Sequence, residues 1–271
     1  MKTLHLLLIL CLPLAVSAQV PEYKFEASYG MGYADYSEDG SMRPVKSDWS
    51  ALAGDVFLEA QGRVGATYAF LNLRVTGTDT DTESWEESGV LVQENDMYMG
   101  GVDFNLGIAI PLEQSWGTFT PSLGFFAGFQ SYTRENFVFF SEEGAVFGPK
   151  GTVNEDVESY GVGGGLALDF PLGGQWLWGA ETSAYWMFYS YAENDAFDTG
   201  IEGDDGVNWE SSLWFAKKLK NDGQIMGLKL TADLQMISGD TTLAEGSNAV
   251  VEWPDNDWEY YSLSLFWLGE F

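Results

Sequence analysis

The strongest constraint in this sequence is a two-residue alternation of apolar with small or polar side chains, sustained over runs of about 10 to 15 residues. In the clearest run, Val102, Phe104, Leu106, Ile108 and Ile110 alternate with Asp103, Asn105, Gly107 and Ala109. Successive side chains of a β-strand point to opposite faces, so the alternation predicts strands with one apolar face. Strands of globular proteins average about five or six residues, whereas a tilted strand needs about nine to eleven to cross a membrane. The run lengths therefore favour membrane-spanning strands.

Ten segments carry this alternation, and the sequence predicts a strand in each. They lie near 22–36, 50–60, 64–76, 97–110, 117–132, 157–170, 176–191, 206–217, 225–237 and 257–271. The 32 glycines and the lack of a sustained i, i+3, i+4 pattern argue against helices. The count becomes eight or twelve if a hairpin near 50–76 or within 133–156 is merged or split. In the second of these segments, Phe137-Val138-Phe139-Phe140 is a candidate hairpin that extends the strands above the membrane.

The connections between the predicted strands alternate in length. The short ones are 61–63, 111–116, 171–175 and 218–224, and the long ones are 37–49, 77–96, 133–156, 192–205 and 238–256. Short turns at one end and long loops at the other are typical of outer-membrane barrels. After residue 18 no stretch offers the roughly 20 apolar residues of a spanning helix. The sequence therefore predicts an all-β fold, a transmembrane antiparallel up-and-down β-barrel of about ten strands.

The first 18 residues have the pattern of a secretory signal peptide. Lys2 and an apolar segment precede Val16-Ser17-Ala18, which are the small residues of a cleavage site. We therefore expect a signal peptide at 1–18 that is cleaved on export, followed by a single barrel domain at 19–271.

Acidic residues dominate the charge of the chain, with 41 Asp and Glu against 12 Lys and Arg. Such a chain should repel nucleic acid, whose phosphates are bound by clustered Lys and Arg. Carboxylates concentrate in the predicted long loops, where the weak candidates for calcium ligands are Asp79, Asp81, Glu83, Asp198, Glu202, Asp204 and Asp205. Neither of the two segments that hold these candidates, 79–83 and 198–205, matches the Asp-x-Asp-x-Asp-Gly calcium loop. The prediction is therefore no metal site but a solvated acidic surface, or one that divalent cations bridge to lipopolysaccharide.

Tryptophan and tyrosine residues fall near both ends of the predicted strands. Near the short-turn end are Trp116, Trp176, Trp178 and Trp267, and near the long-loop end are Tyr33, Tyr98, Tyr132, Tyr160, Tyr189, Trp209 and Trp258. Because such amphipathic rings gather at the two membrane interfaces, the sequence predicts two aromatic belts.

Residues that alternate with the outward apolar positions are predicted to point into the lumen. The polar ones are Glu26, Asn72, Arg74, Asp103, Asn105, Glu181, Glu210, Lys229, Asp233 and Gln235. A barrel of ten strands is narrow, because diameter grows with strand number. Two interpretations stay open, an ion-pair network that fills the lumen and a thin polar channel. Inward glycines leave room for water, for a solute, or for bulky lumen side chains such as Phe126, Tyr185, Trp214 and Phe266.

The final strand resembles the C-terminal assembly signal of bacterial outer-membrane proteins. Its apolar positions Tyr261, Leu263, Leu265 and Trp267 are in phase with Phe271. The resemblance implies recognition by the barrel-assembly machinery, contact with outer-membrane lipid and lipopolysaccharide, and localisation in a Gram-negative-type outer membrane. It covers the architecture of 19–271 and extends to no particular functional family.

An enzyme has to be weighed, because the strand count also resembles that of the omptin proteases. Those proteases, like the lipid A deacylases and palmitoyl transferases of the same membrane, rely on a histidine. Cleavage of the signal peptide would remove His5 and Cys11, the only histidine and the only cysteine. No Gly-x-Ser-x-Gly elbow occurs either. We therefore expect no catalysis and no cofactor.

The leading functional hypothesis is a non-enzymatic, surface-exposed structural or interaction barrel with long acidic extracellular loops. A first alternative is a narrow, porin-like channel for small solutes or ions. A second is a secreted, soluble β-sandwich that binds ligands.

Overall fold

The computed structural model describes residues 23–42, 44–141, 144–148, 151–196, 199–219, 223–243 and 250–271. The predicted signal peptide lies outside these residues. Regular structure in the described chain is β-sheet, and none of it is a helix long and apolar enough to cross a membrane.

The strands follow one another in the order β1 (Tyr23–Asp39), β2 (Val45–Val64), β3 (Thr67–Thr78), β4 (Asp81–Glu87), β5 (Val90–Ala109), β6 (Leu112–Gln114), β7 (Gly117–Ser141), β8 (Gly144–Phe147), β9 (Thr152–Gly173), β10 (Trp176–Asn194), β11 (Thr199–Gly203), β12 (Gly206–Lys218), β13 (Gln224–Ile237), β14 (Asp240–Leu243), β15 (Val250–Trp253) and β16 (Asp255–Glu270).

Ten long strands close into one antiparallel barrel. The order around it is β1, β2, β3 continued by β4, β5, β7, β9, β10, β12, β13 and β16. The seam between β16 and β1 runs from Lys24 opposite Glu270 to Asp39 opposite Asp255. The prediction of an up-and-down barrel of ten strands is confirmed. Eight strands, twelve strands and a two-sheet sandwich are wrong, because the ten long strands form a single sheet that closes on itself.

Several segments predicted as long loops are β-structure instead. β1 continues to Asp39, β2 begins at Val45, and β4 extends β3 before returning into β5. The turn between β4 and β5 is tight, with positive φ at Ser88 and Gly89. β14 and β15 form a separate two-stranded hairpin. The prediction missed these extensions because it followed apolar side chains, whereas the backbone ladder continues through polar sequence.

The predicted hairpin at 137–140 is confirmed. β7 continues through Ser141, and β8 pairs back against it, with Phe140 opposite Ala145. Together with the β4–β5 hairpin it lengthens the barrel well beyond its apolar part.

The outward face of the barrel changes character at one level. On β1, exposed outward residues are apolar from Tyr23 to Tyr33, and on β16 they are apolar from Tyr261 to Phe271. Tyr33 lies opposite Tyr261, and the next outward pair is Asp35 opposite Glu259. A continuous outward apolar band is the surface that lipid covers. After the orientation that the sequence predicts, we call the part below this level the membrane band and the part above it the extracellular extension.

The aromatic belts are partly as predicted. Tyr33, Tyr98 and Trp209 are exposed at the upper level, and Trp116, Trp176 and Trp178 at the lower. Outward but half-buried are Tyr160, Tyr189 and Trp267. The belt prediction is wrong for Tyr132 and Trp258, because both are buried in the lumen with 1% and 4% of their surface exposed. Even-numbered positions on β7 and β16 face inward, so both residues are out of phase with the outward row.

Candidate functional site

The polar side chains predicted for the lumen all lie on the inward face of the barrel. Lys229 pairs with Glu26 and Glu181, and Arg74 pairs with Glu210 and Asp233. Gln235 accepts a hydrogen bond from another lumen side chain, Gln130. Asn72, Asp103 and Asn105 carry buried oxygens on the same face. Strand register sorts the charged ones into two layers within the membrane band.

The central layer is organised by Arg74, which is 7% exposed. Its Nη1 lies 2.8 Å from Glu210 Oε2 and 2.9 Å from Asp233 Oδ2. Asp55 Oδ2 is 3.9 Å from Arg74 Nε, and Asp55 also accepts a 2.7 Å hydrogen bond from the Tyr260 hydroxyl. One guanidinium therefore ties together side chains from β2, β3, β12, β13 and β16 across the lumen.

The lower layer is organised by Lys229. Its ammonium pairs with Glu26 Oε1 and lies 3.1 Å from Glu181 Oε1, and Ser212 donates a 2.7 Å hydrogen bond to the same Glu181 oxygen. The ammonium also lies 5.2 Å from the centroid of the Phe57 ring. Charged and aromatic groups thus share one cation in the middle of the barrel.

A third layer, which we call the upper layer, lies in the extracellular extension and was missed by the sequence analysis. Arg134 Nε lies 2.7 Å from Glu83 Oε2, Arg134 Nη2 lies 2.8 Å from Glu38 Oε1, and Arg134 Nη1 lies 3.9 Å from Glu155 Oε2. All four residues fall at or beyond the predicted strand ends. The available signal was the inward phase of Arg134, which continues the row of Gly124, Phe126 and Gly128.

Aromatic and amide side chains fill the space between the central and upper layers. The rings of Tyr36 and Tyr132 are 4.7 Å apart, and the Tyr132 hydroxyl donates to Gln130 Oε1 at 2.8 Å. Gln130 in turn donates to Gln235. Buried around them are Trp49, Met97, Phe126, Tyr185, Met187, Trp258 and Tyr260. The lumen at this level is packed side chain against side chain.

Two carboxylates of the upper layer, Glu38 and Glu83, differ in pKa although both pair with Arg134. Burial alone would raise the pKa of Glu83, but the Arg134 guanidinium and a hydrogen bond from Asn95 outweigh it and hold that pKa below its usual 4.5. At Glu38 burial outweighs the attraction of Arg134 and raises the pKa to about 7, with the charges of Glu155 and Glu83 adding to the rise. Glu38 therefore takes up a proton near neutral pH.

We expect Glu38 to make the folded protein less stable as the pH rises from about 5 to 8. Its pKa is raised on folding, so the folded state holds the proton more tightly, and that stability is lost as the pH passes about 7. The thermal unfolding midpoint in detergent should fall over this range, and Glu38→Gln should reduce the fall. Glu86→Gln, an exposed change on the strand that carries Glu83, should keep the wild-type slope. Equal slopes for wild type and Glu38→Gln would refute the assignment.

At the lower end of the barrel, an ion pair and backbone hydrogen bonds join the first strand to the end of the last one. Lys24 Nζ lies 3.0 Å from Glu270 Oε1, and the backbones of Tyr23 and Phe271 exchange two hydrogen bonds of 3.0 and 2.8 Å. The residues of the proposed assembly signal face outward in one row: Tyr261, Leu263, Leu265, Trp267 and Phe271. Their side chains are thus part of the outward apolar surface of the barrel.

The weak calcium candidates do not form one site. Glu83 is buried against Arg134, whereas Asp79 and Asp81 are exposed. Exposed carboxylates in the other segment are Glu202, Asp204 and Asp205, and Asp198 lies outside the described residues. Within the described ranges no group of three or more Asp, Glu, His or Cys residues is arranged to hold a metal ion.

A different set of carboxylates lies together on the outward surface. Asp35, Asp48, Asp257 and Glu259 border a groove of 420 Å³ on β1, β2 and β16. The groove lies directly above Tyr33 and Tyr261, at the lower edge of the extracellular extension. We call these four residues the acidic patch.

Neither a protein-family model nor a curated protein matches the sequence. Among solved structures, the outer membrane protease OmpT of Escherichia coli is 11% identical, with 95% of this chain and 99% of that chain covered and a TM-score of 0.74. The translocator domain of the autotransporter NalP from Neisseria meningitidis is 10% identical, with 100% and 95% covered and a TM-score of 0.40. The likeness to OmpT shows the fold alone: the chain has the fold of a bacterial outer-membrane β-barrel.

Proposed function

We propose that this chain is a non-enzymatic barrel of a Gram-negative-type outer membrane, with a closed lumen and an acidic extracellular extension that serves as its working surface. The observation that carries the proposal is the stack of three ion-pair layers across the lumen. The layers are held by Lys229, Arg74 and Arg134 in ascending order.

The closed lumen is supported by the way the charged groups of the layers are bound to one another. A channel needs polar groups that face a continuous water column, whereas here the cations are bound by carboxylates from across the barrel. Aromatic rings fill the level between Arg74 and Arg134. Charge and packing therefore support a lumen that acts as an internal scaffold.

The membrane location is supported by the outward apolar band and by the fold shared with OmpT. In this setting, outer-membrane lipid would cover the band. The outward row from Tyr261 to Phe271 would be the surface read by the barrel-assembly machinery, as its resemblance to the assembly signal implies.

The non-enzymatic role is supported by the ion pairing of the carboxylates nearest the extracellular mouth. Glu38, Glu83 and Glu155 are all engaged with Arg134. Protease activity belongs to OmpT by its name, and an identity of 11% transfers the fold without the chemistry.

The acidic patch gives the extracellular extension a partner of defined chemistry. Its carboxylates lie just above the upper tyrosines, at the level where lipopolysaccharide carries its anionic groups. Divalent cations held loosely between the two surfaces would bridge them, because Mg²⁺ and Ca²⁺ prefer oxygen ligands and keep part of their hydration. This is the role we propose for divalent cations, as mobile bridges at the surface.

Single-channel recording tests the closed lumen against the porin-like alternative. We expect the refolded protein, inserted into planar bilayers, to give no conductance step above baseline in molar salt. The double variant Lys229→Ala with Glu181→Ala removes two side chains from the lower layer. It serves as a comparison protein in which the lumen is less tightly filled. Regular steps from the wild-type protein would overturn the closed-lumen proposal in favour of a channel.

A further inference from the structure

We propose that the outward face of β9, β10, β12, β13 and β16 binds an ethanolamine phospholipid, with an acyl chain in a groove of the membrane band and the ammonium group at the acidic patch. The proposal rests on the membrane location proposed above and adds to it one lipid class and one site.

The groove lies on the lipid-facing side of the barrel and has a volume of 740 Å³. Its floor consists of small outward side chains, whereas its walls consist of larger, exposed ones. On the floor are Ala180, Ser211 and Ala232, and in the walls are Leu166, Leu213 and Leu230. A groove of this kind gains packing contacts when a flexible apolar chain fills it.

The groove descends through the membrane band. One row of paired residues follows it from β16 to β7: Tyr261, Ala232, Ser211, Thr182, Leu166 and Pro121. Tyr261 lies at the upper edge of the band, whereas Pro121 lies near Gly117, where β7 begins at the lower turn. A second groove of 560 Å³ shares Thr182 and Leu166 with the first and reaches Ile110. An acyl chain that enters at Tyr261 therefore finds a continuous path down the barrel.

The hydroxyl groups on the groove floor are bonded to one another and to the backbone. Ser211 Oγ donates a hydrogen bond to Thr182 Oγ1 at 2.7 Å, and Trp209 Nε1 donates to the same oxygen at 3.0 Å. Thr182 Oγ1 in turn donates to the backbone carbonyl of Glu210 at 3.1 Å. Because these polar groups already have partners, the floor suits an apolar chain better than a polar ligand.

The acidic patch adjoins the upper end of this groove. Tyr261 lines the groove, and its hydroxyl donates a 2.7 Å hydrogen bond to Glu259 Oε2 of the patch. Glu259 lies opposite Asp35, and its charge adds to burial in raising the pKa of that carboxyl. No described Lys or Arg pairs with the patch, since Lys46, two residues before Asp48, is bound to Asp39. A cation at the top of the groove would therefore find unopposed negative charge.

The charge of the patch selects the headgroup. Lipids with a net anionic headgroup are repelled by four carboxylates. No group of three or more described carboxylates is arranged to hold a metal ion. A primary ammonium carries three N–H donors, which can reach separate carboxylates on neighbouring strands. An ethanolamine phospholipid joins such an ammonium to acyl chains through a short link, and this matches an acidic surface directly above an apolar groove.

Native mass spectrometry tests this proposal on the protein in detergent with equal amounts of dioleoyl phosphatidylethanolamine, phosphatidylglycerol and phosphatidylcholine. We expect phosphatidylethanolamine to be retained roughly threefold more than either of the others, the ratio that a surface ion pair of ordinary strength gives. Equal retention, or a preference for phosphatidylglycerol or phosphatidylcholine, overturns the proposal. Heat-modifiable migration of the same preparation separates the two failures. If it persists without a lipid preference, only the lipid site fails, and if it is absent the membrane barrel itself fails.

Two double variants locate the acyl chain and the headgroup. Ser211→Leu with Ala232→Leu fills the groove from its lipid-facing side and should reduce retention of phosphatidylethanolamine, whereas Val56→Leu, an outward change on β2, should not. Retention by the groove variant equal to that of Val56→Leu overturns the site.

Asp257→Asn with Glu259→Gln removes two charges of the patch and should abolish the preference for phosphatidylethanolamine while total lipid retention stays the same. Glu86→Gln with Glu87→Gln removes two exposed charges of β4 and should keep the preference. The headgroup variants decide the proposal if the groove variant does not fold, because their changes lie above the membrane band. An unchanged preference in Asp257→Asn with Glu259→Gln overturns it.

Discussion

Replacing Arg74 by methionine should destabilise the folded barrel by about 3–5 kcal/mol, the usual effect of breaking a buried ion pair by removing one partner. Glu210 and Asp233 each lie within 3 Å of Arg74 Nη1, and Asp55 lies 3.9 Å from Nε. Without the guanidinium these carboxylates face one another inside the membrane band with no charge to oppose theirs. Urea unfolding of the protein in detergent micelles, followed by tryptophan fluorescence, measures the loss.

The control for this variant is Lys46→Met. Lys46 also pairs with a carboxylate, Asp39, but the side chains are 64% and 56% exposed, so water replaces the pair at little cost. Adding Glu210→Gln and Asp233→Asn to Arg74→Met should recover most of the lost stability, because amides need no counter-charge. An Arg74→Met protein as stable as Lys46→Met would contradict the ion-pair layers as the scaffold of the lumen.

Replacing Gly32 by alanine should destabilise the closing seam by about 1–3 kcal/mol, the usual range for overpacking. Gly32 faces the lumen on β1, opposite Ser262 on β16. A Cβ at this position would overlap the carbonyl oxygen of Tyr261 and approach Ser262 Cα to 2.8 Å. Both neighbours are backbone atoms of the last strand, so relief requires the seam itself to move. The same urea titration measures the effect.

Two other glycines provide matched controls. At Gly77 and Gly100 an added Cβ would meet no atom within 4 Å. Alanine there should leave stability unchanged or raise it slightly, since it restricts only the unfolded chain. If Gly32→Ala unfolds at the same urea concentration as Gly100→Ala, the close approach of β1 and β16 at the seam is wrong.

Much of the barrel could be predicted from local sequence, because the odd or even position of a residue along its strand decides which face it lies on. We call this property strand parity. The alternation at 102–110 and at 261–271 identifies both the strand and its lipid-facing side. The same parity assigns the polar side chains of the membrane band, such as Arg74 and Lys229, to the lumen. Applied strictly, it would also have turned Tyr132 and Trp258 inward, where the structure has them.

The extracellular extension could not be predicted in the same way, because its outward face is polar. Beyond Tyr33 the outward positions of β1 are Asp35 and Ser37, so the contrast between the two faces disappears while the backbone ladder continues. Arg134 was missed for this reason. Its partners Glu38 and Glu83 lie on other strands that run past their predicted ends.

Contacts within the lumen depend on the stagger of strands around the barrel, which local pattern does not specify. Arg74 and Asp233 are 159 positions apart in the chain, yet lie 2.9 Å apart across the barrel. Sequence parity therefore predicts which residues enter the lumen and leaves their pairing to the three-dimensional structure.

Heat-modifiable migration of the membrane fraction tests the account most directly. A closed barrel resists detergent at room temperature, so the unboiled protein should run faster on a denaturing gel than the boiled one. It should also remain with the membranes after a carbonate wash. Identical mobility before and after boiling, together with release by carbonate, would contradict a closed barrel embedded in the outer membrane.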